Sequence, residues 1–117
     1  MRASISVVTE MEEVVVSAKR AAPIGLIVKE LITNSLKHAF PGGRKGTVWL
    51  SLRRGPELAI LELRDDGVGL PSGFSPSSSS GMGIKLVTGR AREAGARFAI
   101  TGSPGGTSSF LEFAADA

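Results

Sequence analysis

The 117-residue chain has no cysteine, one histidine and only 5% aromatic residues. The absence of cysteine excludes a disulfide framework, a thiol nucleophile and a thiolate zinc site, and fits a reducing cytoplasm. The lone histidine, His38, stands beside Lys37 and assembles no Ser-His-Asp set. The longest stretch without charge, Gly67 to Ile84, is rich in Gly, Ser and Pro and unsuited to a bilayer, and the N-terminus lacks the apolar core of a signal peptide. Fourteen Lys and Arg against eleven Asp and Glu leave a net charge of +3, spread along the chain without a basic stripe. Of the aromatics Phe40, Trp49, Phe74, Phe98, Phe110 and Phe113, most lie in strand-like apolar patterns that suit a core better than base stacking. Neither a nucleic-acid partner nor direct membrane contact is expected. A chain of this length buries one core, so a single soluble domain over 1–117 is the expectation.

Ala3 to Thr9 and Glu12 to Ala18 are rich in β-branched residues and read as two strands or a hairpin. Pro23 suits the first turn of a helix, and Ile24, Val28, Leu31, Leu36 and Ala39 recur at helical spacing until Pro41-Gly42-Gly43 ends the pattern. Thr47 to Arg53 and Leu58 to Arg64, joined through Gly55-Pro56, predict an antiparallel hairpin. A second helix carries Ile84, Val87, Ala91 and Ala94 and closes at Gly95, before strands near Ala96 to Thr101 and Thr107 to Phe113. Strands and helices that do not alternate strictly argue for an α+β sandwich, a mixed, mostly antiparallel sheet with helices on one face.

Some residues stand where a core would not want them. Glu30, Asn34 and Lys37, spaced i, i+4, i+7, share a helix stripe with Thr33 and His38 beside it. The stripe is either a solvated face or a row placing a base, a metal ligand and a phosphate contact side by side. Strand parity puts Asp65 on the same side as Ala59, Leu61 and Leu63, an expensive place for a carboxylate without a partner. It opens Asp65-Asp66-Gly67-Val68-Gly69, which is either a turn with local hydrogen bonding or a buried acid that accepts a ligand amino group. Gly81-Met82-Gly83 opens the second helix, where bare amides suit phosphate oxygens, although it is neither a P-loop nor a dinucleotide fingerprint.

In this order the pieces resemble the GHKL ATPases, the superfamily that includes gyrase and the histidine kinases. Glu30 to Phe40 resembles the N-box, Asp65 to Gly69 the first glycine box, Gly81 to Gly83 the second, and Gly105-Gly106-Thr107 the closing glycine motif. The N-box running into Pro41-Gly42-Gly43, and Gly69-Leu70-Pro71 followed by Gly73-Phe74, are most similar to sensor histidine kinases related to the HWE and blue-light kinases. The resemblance implies a Bergerat-type fold binding ATP and Mg2+, with Asn34 holding magnesium and Asp65 reading the adenine amino group. Gly67 and Gly69 would let adenine approach the backbone, and Thr107 would sit near it. Lys37 and His38 would face the phosphates, with amides supplied by Gly81 and Gly83. Glu30 matches the general base of the water-splitting members, and with Lys37 is the catalytic candidate. Leu70 to Met82 would form an ATP lid, with Phe74 packing back as it closes.

Nothing in the chain resembles a dimerising helical domain with a phosphoacceptor histidine. The implied partner is therefore such a domain of the same kinase, and through it a response regulator. The resemblance implies a cytoplasmic catalytic domain that presents the ATP γ-phosphate and does not autophosphorylate alone. The alternative is an ATP-gated binding module, an anti-sigma-factor-like switch or a degenerate kinase domain.

Overall fold

The structure, a computed structural model, describes residues 4–69 and 84–116. In chain order these form β1 (Ile5–Met11), α1 (Ala18–Asn34), a π turn (Ser35–Ala39), a 3-10 turn (Pro41–Gly43), β2 (Gly46–Arg54), β3 (Leu58–Asp65), α2 (Ile84–Glu93), β4 (Arg97–Ser103) and β5 (Gly106–Ala114). The sheet order is β1-β2-β3-β5-β4. Every pairing is antiparallel except β1 with β2. Helices cover one face of this mixed sheet, the α+β sandwich expected from the element order.

The hairpin of β2 and β3 follows the sequence pattern closely. Ala59, Leu61 and Leu63 point into the core, as does Asp65, which is only 5% exposed. On the opposite face Arg64 lies over the Trp49 ring at 4.2 Å from its centroid. Ile24, Ile27 and Leu31 of α1 join Val87, Ala91 and Ala94 of α2, with Val48, Leu111 and Phe113 of the sheet, in one core. Phe40 belongs to it as well. Burying each large aliphatic or aromatic side chain contributes about 1.5–3 kcal/mol. The end of α2 falls at Gly95 as expected. Ala96 N–H donates to Ala91 O at 2.8 Å and Gly95 N–H to Arg92 O at 3.1 Å, which satisfies the last carbonyls.

Three expectations are corrected. The N-terminal pair of strands or hairpin is a single strand, β1, running parallel to β2 with α1 as the crossover. Residues 12–17 form no ladder. Glu12 N–H still reaches Leu52 O at 2.9 Å and its Oε1 accepts Arg54 N–H at 2.6 Å, after which the chain leaves the sheet edge. Val14 and Val16 then pack against the core, so their alternation reflects burial of alternate side chains and not strand pairing.

The first helix starts at Ala18, so Pro23 lies inside it and not in its first turn. The extra turn is anchored by tertiary contacts. Arg20 donates through Nε to Ala94 O at 3.1 Å and through Nη1 to Ala114 O at 2.7 Å, and pairs with Asp116 at 3.3 Å. Asp116 also accepts Ser17 N–H at 2.6 Å. One guanidinium thus ties the start of α1 to the ends of α2 and β5. Arg20→Ala is expected to cost about 1–3 kcal/mol, the range for losing hydrogen bonds to a charged donor that is partly solvated, read as a lower urea midpoint with unchanged m.

The third correction is at the helix end, where the last five residues of the predicted helix form a π turn. Its i→i+5 bonding breaks the regular spacing. Leu36, placed on the apolar stripe by the pattern, is 45% exposed, whereas Ser35 is buried.

Candidate functional site

The inner face of the sheet changes character in its last rows. Leu61 pairs with Leu111, but Leu63 faces Ser109, and Asp65 stands between Val48 and Thr107. A cleft opens there beneath the end of α1, lined by Leu31, Asn34, Ser35, His38, Ala39, Asp65, Gly69, Ile100, Thr107 and Ser109.

Asp65 is its polar centre. Oδ1 accepts Gly67 N–H at 3.0 Å and Thr107 N–H at 3.3 Å, and Oδ2 accepts the Ser35 hydroxyl at 3.0 Å. A carboxylate offers about four acceptor positions. Three are occupied by donors among the described residues, leaving one on Oδ2. The two readings of this acid therefore merge: it makes the local turn bond and also faces a cleft.

Two glycines allow the turn to sit where it does. A Cβ on Gly67 would lie 2.3 Å from Ala39 O, so the missing side chain is what lets the π turn close down, with Val68 N–H donating to Ala39 O at 2.9 Å. A Cβ on Gly106 would lie 2.0 Å from Asp65 O, and Gly106 has φ +146°. Asp66 fastens the same turn to β2, giving N–H to Thr47 O at 3.3 Å and accepting Thr47 N–H at 2.8 Å.

The cleft brings Asn34, His38, Asp65, Gly69 and Thr107 together, five of the candidate residues. Gly67 lies under Ala39 at the edge of the same turn. Glu30, in contrast, lines a separate groove between α1 and α2 with Leu26, Ile27, Lys29, Leu86, Val87 and Arg90. Lys37 is exposed and does not line the cleft. Gly81, Gly83 and the Leu70 to Met82 segment lie outside the described residues. Ser35 is the site residue that spacing reasoning missed. Its signal was available: Ile27, Leu31 and Ser35 are four apart, so a hydroxyl falls on the buried stripe and needs a partner.

The residues suit a planar base with one amino donor, since the carboxylate has one acceptor position without a donor among the described residues and Leu31, Ala39 and Ile100 supply apolar walls. They also suit magnesium in a limited way. No group of three His, Cys, Asp or Glu that could hold a metal occurs among the described residues. Magnesium characteristically takes one or two protein oxygens and completes its shell with water and phosphate, and Asn34, 9% exposed in the cleft, offers one amide oxygen.

Residues 20–116 match the family described as histidine kinase-, DNA gyrase B-, and HSP90-like ATPase, and the chain belongs to that family. Blue-light-activated histidine kinase 2 of Erythrobacter litoralis is 32% identical over 108 residues, covering 91% of this chain and 31% of that protein. The solved EL346 blue-light activated histidine kinase of Erythrobacter litoralis superposes with a TM-score of 0.86 at 30% identity, over 96% of this chain and 36% of the other. An anti-sigma F factor of Bacillus licheniformis is 33% identical over 49 residues, 42% of this chain and 34% of that protein. The chain spans between 14% and 31% of the length of the sensor and blue-light kinases it matches. It is a histidine-kinase-type ATPase domain, and the anti-sigma-like alternative, supported by the shorter match, is the weaker reading. No helix among the described residues is long and apolar enough to cross a membrane.

Proposed function

We propose that this domain binds ATP with magnesium and presents the γ-phosphate to a histidine on another domain of a cytoplasmic two-component sensor kinase. The observation that carries the reading is the buried Asp65, held by three donors and still able to accept one more in an apolar-walled cleft. Asp65 would take the adenine amino group, with Gly69 and Thr107 beside the base. Asn34 would hold magnesium, which neutralises phosphate charge when bound. His38 at the cleft and the exposed Lys37 would meet the phosphates, and the amides of Gly81 and Gly83 are proposed to join them. Positioning and charge neutralisation supply most of the catalysis in phosphoryl transfer.

Glu30 has less support as a base, because it lines the α1–α2 groove and an imidazole acceptor needs no activated water. The proposed partner is a dimerisation and phosphoacceptor domain, which would pass the phosphoryl group to a response regulator. His38 lies within the N-box, so autophosphorylation of the isolated chain is not expected.

Titrating the chain with ATP and with ADP, with and without magnesium, tests the reading. Asn34→Ala is expected to remove most of the magnesium enhancement of ATP binding and to change metal-free ADP binding by less than about three-fold, because an amide oxygen is a ligand for a hard cation. A full magnesium effect in the variant would remove Asn34 from the metal site.

A further inference from the structure

Ser35 is 8% exposed and holds the first position of the π turn, on the stripe that Ile27 and Leu31 direct into the core. A hydroxyl in such a place is costly unless bonded, and alanine would serve the helix better. Its bond goes to Oδ2 of Asp65 at 3.0 Å. The two carboxylate oxygens are held differently. Oδ1 is gripped by two backbone amides, which no side-chain replacement removes, whereas among the described residues Ser35 is the one donor to Oδ2. The terminal torsion of a carboxylate is soft and roughly two-fold. Ser35 therefore adds a third point to the grip on the group and fills one of the two acceptor directions of Oδ2, so that among the described residues a single direction is left.

We propose that Ser35 is a positioning residue for base recognition: its hydroxyl fills one acceptor direction of Asp65 Oδ2 and, with the two amides on Oδ1, steadies the carboxylate so that the other direction meets the exocyclic amino group of a 6-aminopurine. The proposal rests on the adenine reading above. It makes a demand that a merely structural serine does not. The contribution of Ser35 must appear only with ligands that carry the amino group, because its effect is transmitted through the bond that group makes.

The test is a cycle of protein and ligand changes, measured by calorimetry on the whole chain with magnesium. The ligands are ATP and purine riboside triphosphate, which has hydrogen at the 6-position. In the native chain ATP is expected to bind more tightly than the 6-hydrogen analogue. Ser35→Ala is expected to weaken ATP about ten-fold, the scale of one hydrogen bond to a charged group, and to leave the analogue within about two-fold. Ser35→Thr, which keeps the hydroxyl, should restore the preference for ATP. Ser35→Val, of similar volume without the hydroxyl, should lose it, and this pair carries the comparison if alanine lowers the thermal midpoint.

Equal weakening of both ligands would make Ser35 a packing residue and overturn the proposal. So would unchanged discrimination in the alanine and valine variants. Those outcomes leave the ATP reading standing, whereas a native chain that binds neither nucleotide, or binds both equally, overturns the adenine reading together with this one.

Discussion

Asp65→Asn is expected to weaken ATP binding by roughly ten- to a hundred-fold, or beyond detection, in a chain that still folds. The reason lies in how the side chain is divided. Asn can keep its oxygen toward the amides of Gly67 and Thr107, which now reach Oδ1 at 3.0 and 3.3 Å. Its NH2 group then faces the Ser35 hydroxyl, which can turn and accept. The internal network is retained with one direction reversed. The remaining position on that atom, however, becomes an N–H, and a ligand amino group meets a donor where it needs an acceptor. Losing a hydrogen bond to a charged group accounts for about 1.5–3 kcal/mol, which is the ten- to hundred-fold range. Asp65→Ala serves as the contrast. It strands two backbone amides, at about 1–3 kcal/mol for each group left unpaired, and should lower stability as well as binding. Calorimetry for binding and urea denaturation for stability separate the two variants. Native-like ATP affinity in the Asn variant would remove Asp65 from base recognition.

Gly106→Ala is expected to destabilise the domain by about 2–6 kcal/mol. Two costs act together there. The backbone has φ +146°, which an L side chain adopts only under strain of about 1–3 kcal/mol. The added Cβ would also fall 2.0 Å from Asp65 O and 3.2 Å from Asp66 Cα, and these are backbone atoms that cannot rotate away. Relieving the overlap means moving β5 from β3, an overpacking cost of about 1–3 kcal/mol more. Gly25→Ala is the internal control, since Gly25 lies on the exposed side of α1 with nothing within 4 Å of the added methyl. There the substitution should stabilise by about 0.5–1 kcal/mol through helix propensity. Urea unfolding of the two variants should therefore move in opposite directions, and a neutral Gly106→Ala would mean that β5 is free to shift at Asp65.

The placement of Asp65 was legible from strand parity, because side chains alternate strictly along an extended chain and Leu61, Leu63 and Asp65 had to share a face. The close of α2 at Gly95 and the β2–β3 hairpin were legible for similar reasons of local geometry. The start of α1 was not. Pro23 carries a strong local preference for a first turn, and what extends the helix back to Ala18 is Arg20, whose partners Ala94, Ala114 and Asp116 lie far along the chain. The two strands or hairpin expected at the N-terminus are one strand, because β-branched alternation reports alternate burial, which Val14 and Val16 achieve against the core without joining the sheet.

By itself, then, the sequence determined the order of elements from the first helix onward, the apolar faces and the acid that interrupts one of them, since periodicity, turn residues and side-chain parity act over a few residues. Only the tertiary structure decided how the candidate residues are shared out. The line through Glu30, Asn34 and Lys37 is straight on a regular helix. The π turn from Ser35 interrupts it, and packing against α2 draws Glu30 into a different groove, leaving Asn34 and His38 over Asp65. The pairing of β5 with β3 and the seating of the π turn over the sheet bring Thr107 and Ser35 to that carboxylate as donors, from positions 42 and 30 residues away along the chain. A hydrogen bond across such separations depends on where whole elements come to rest, and no local pattern of residues encodes it.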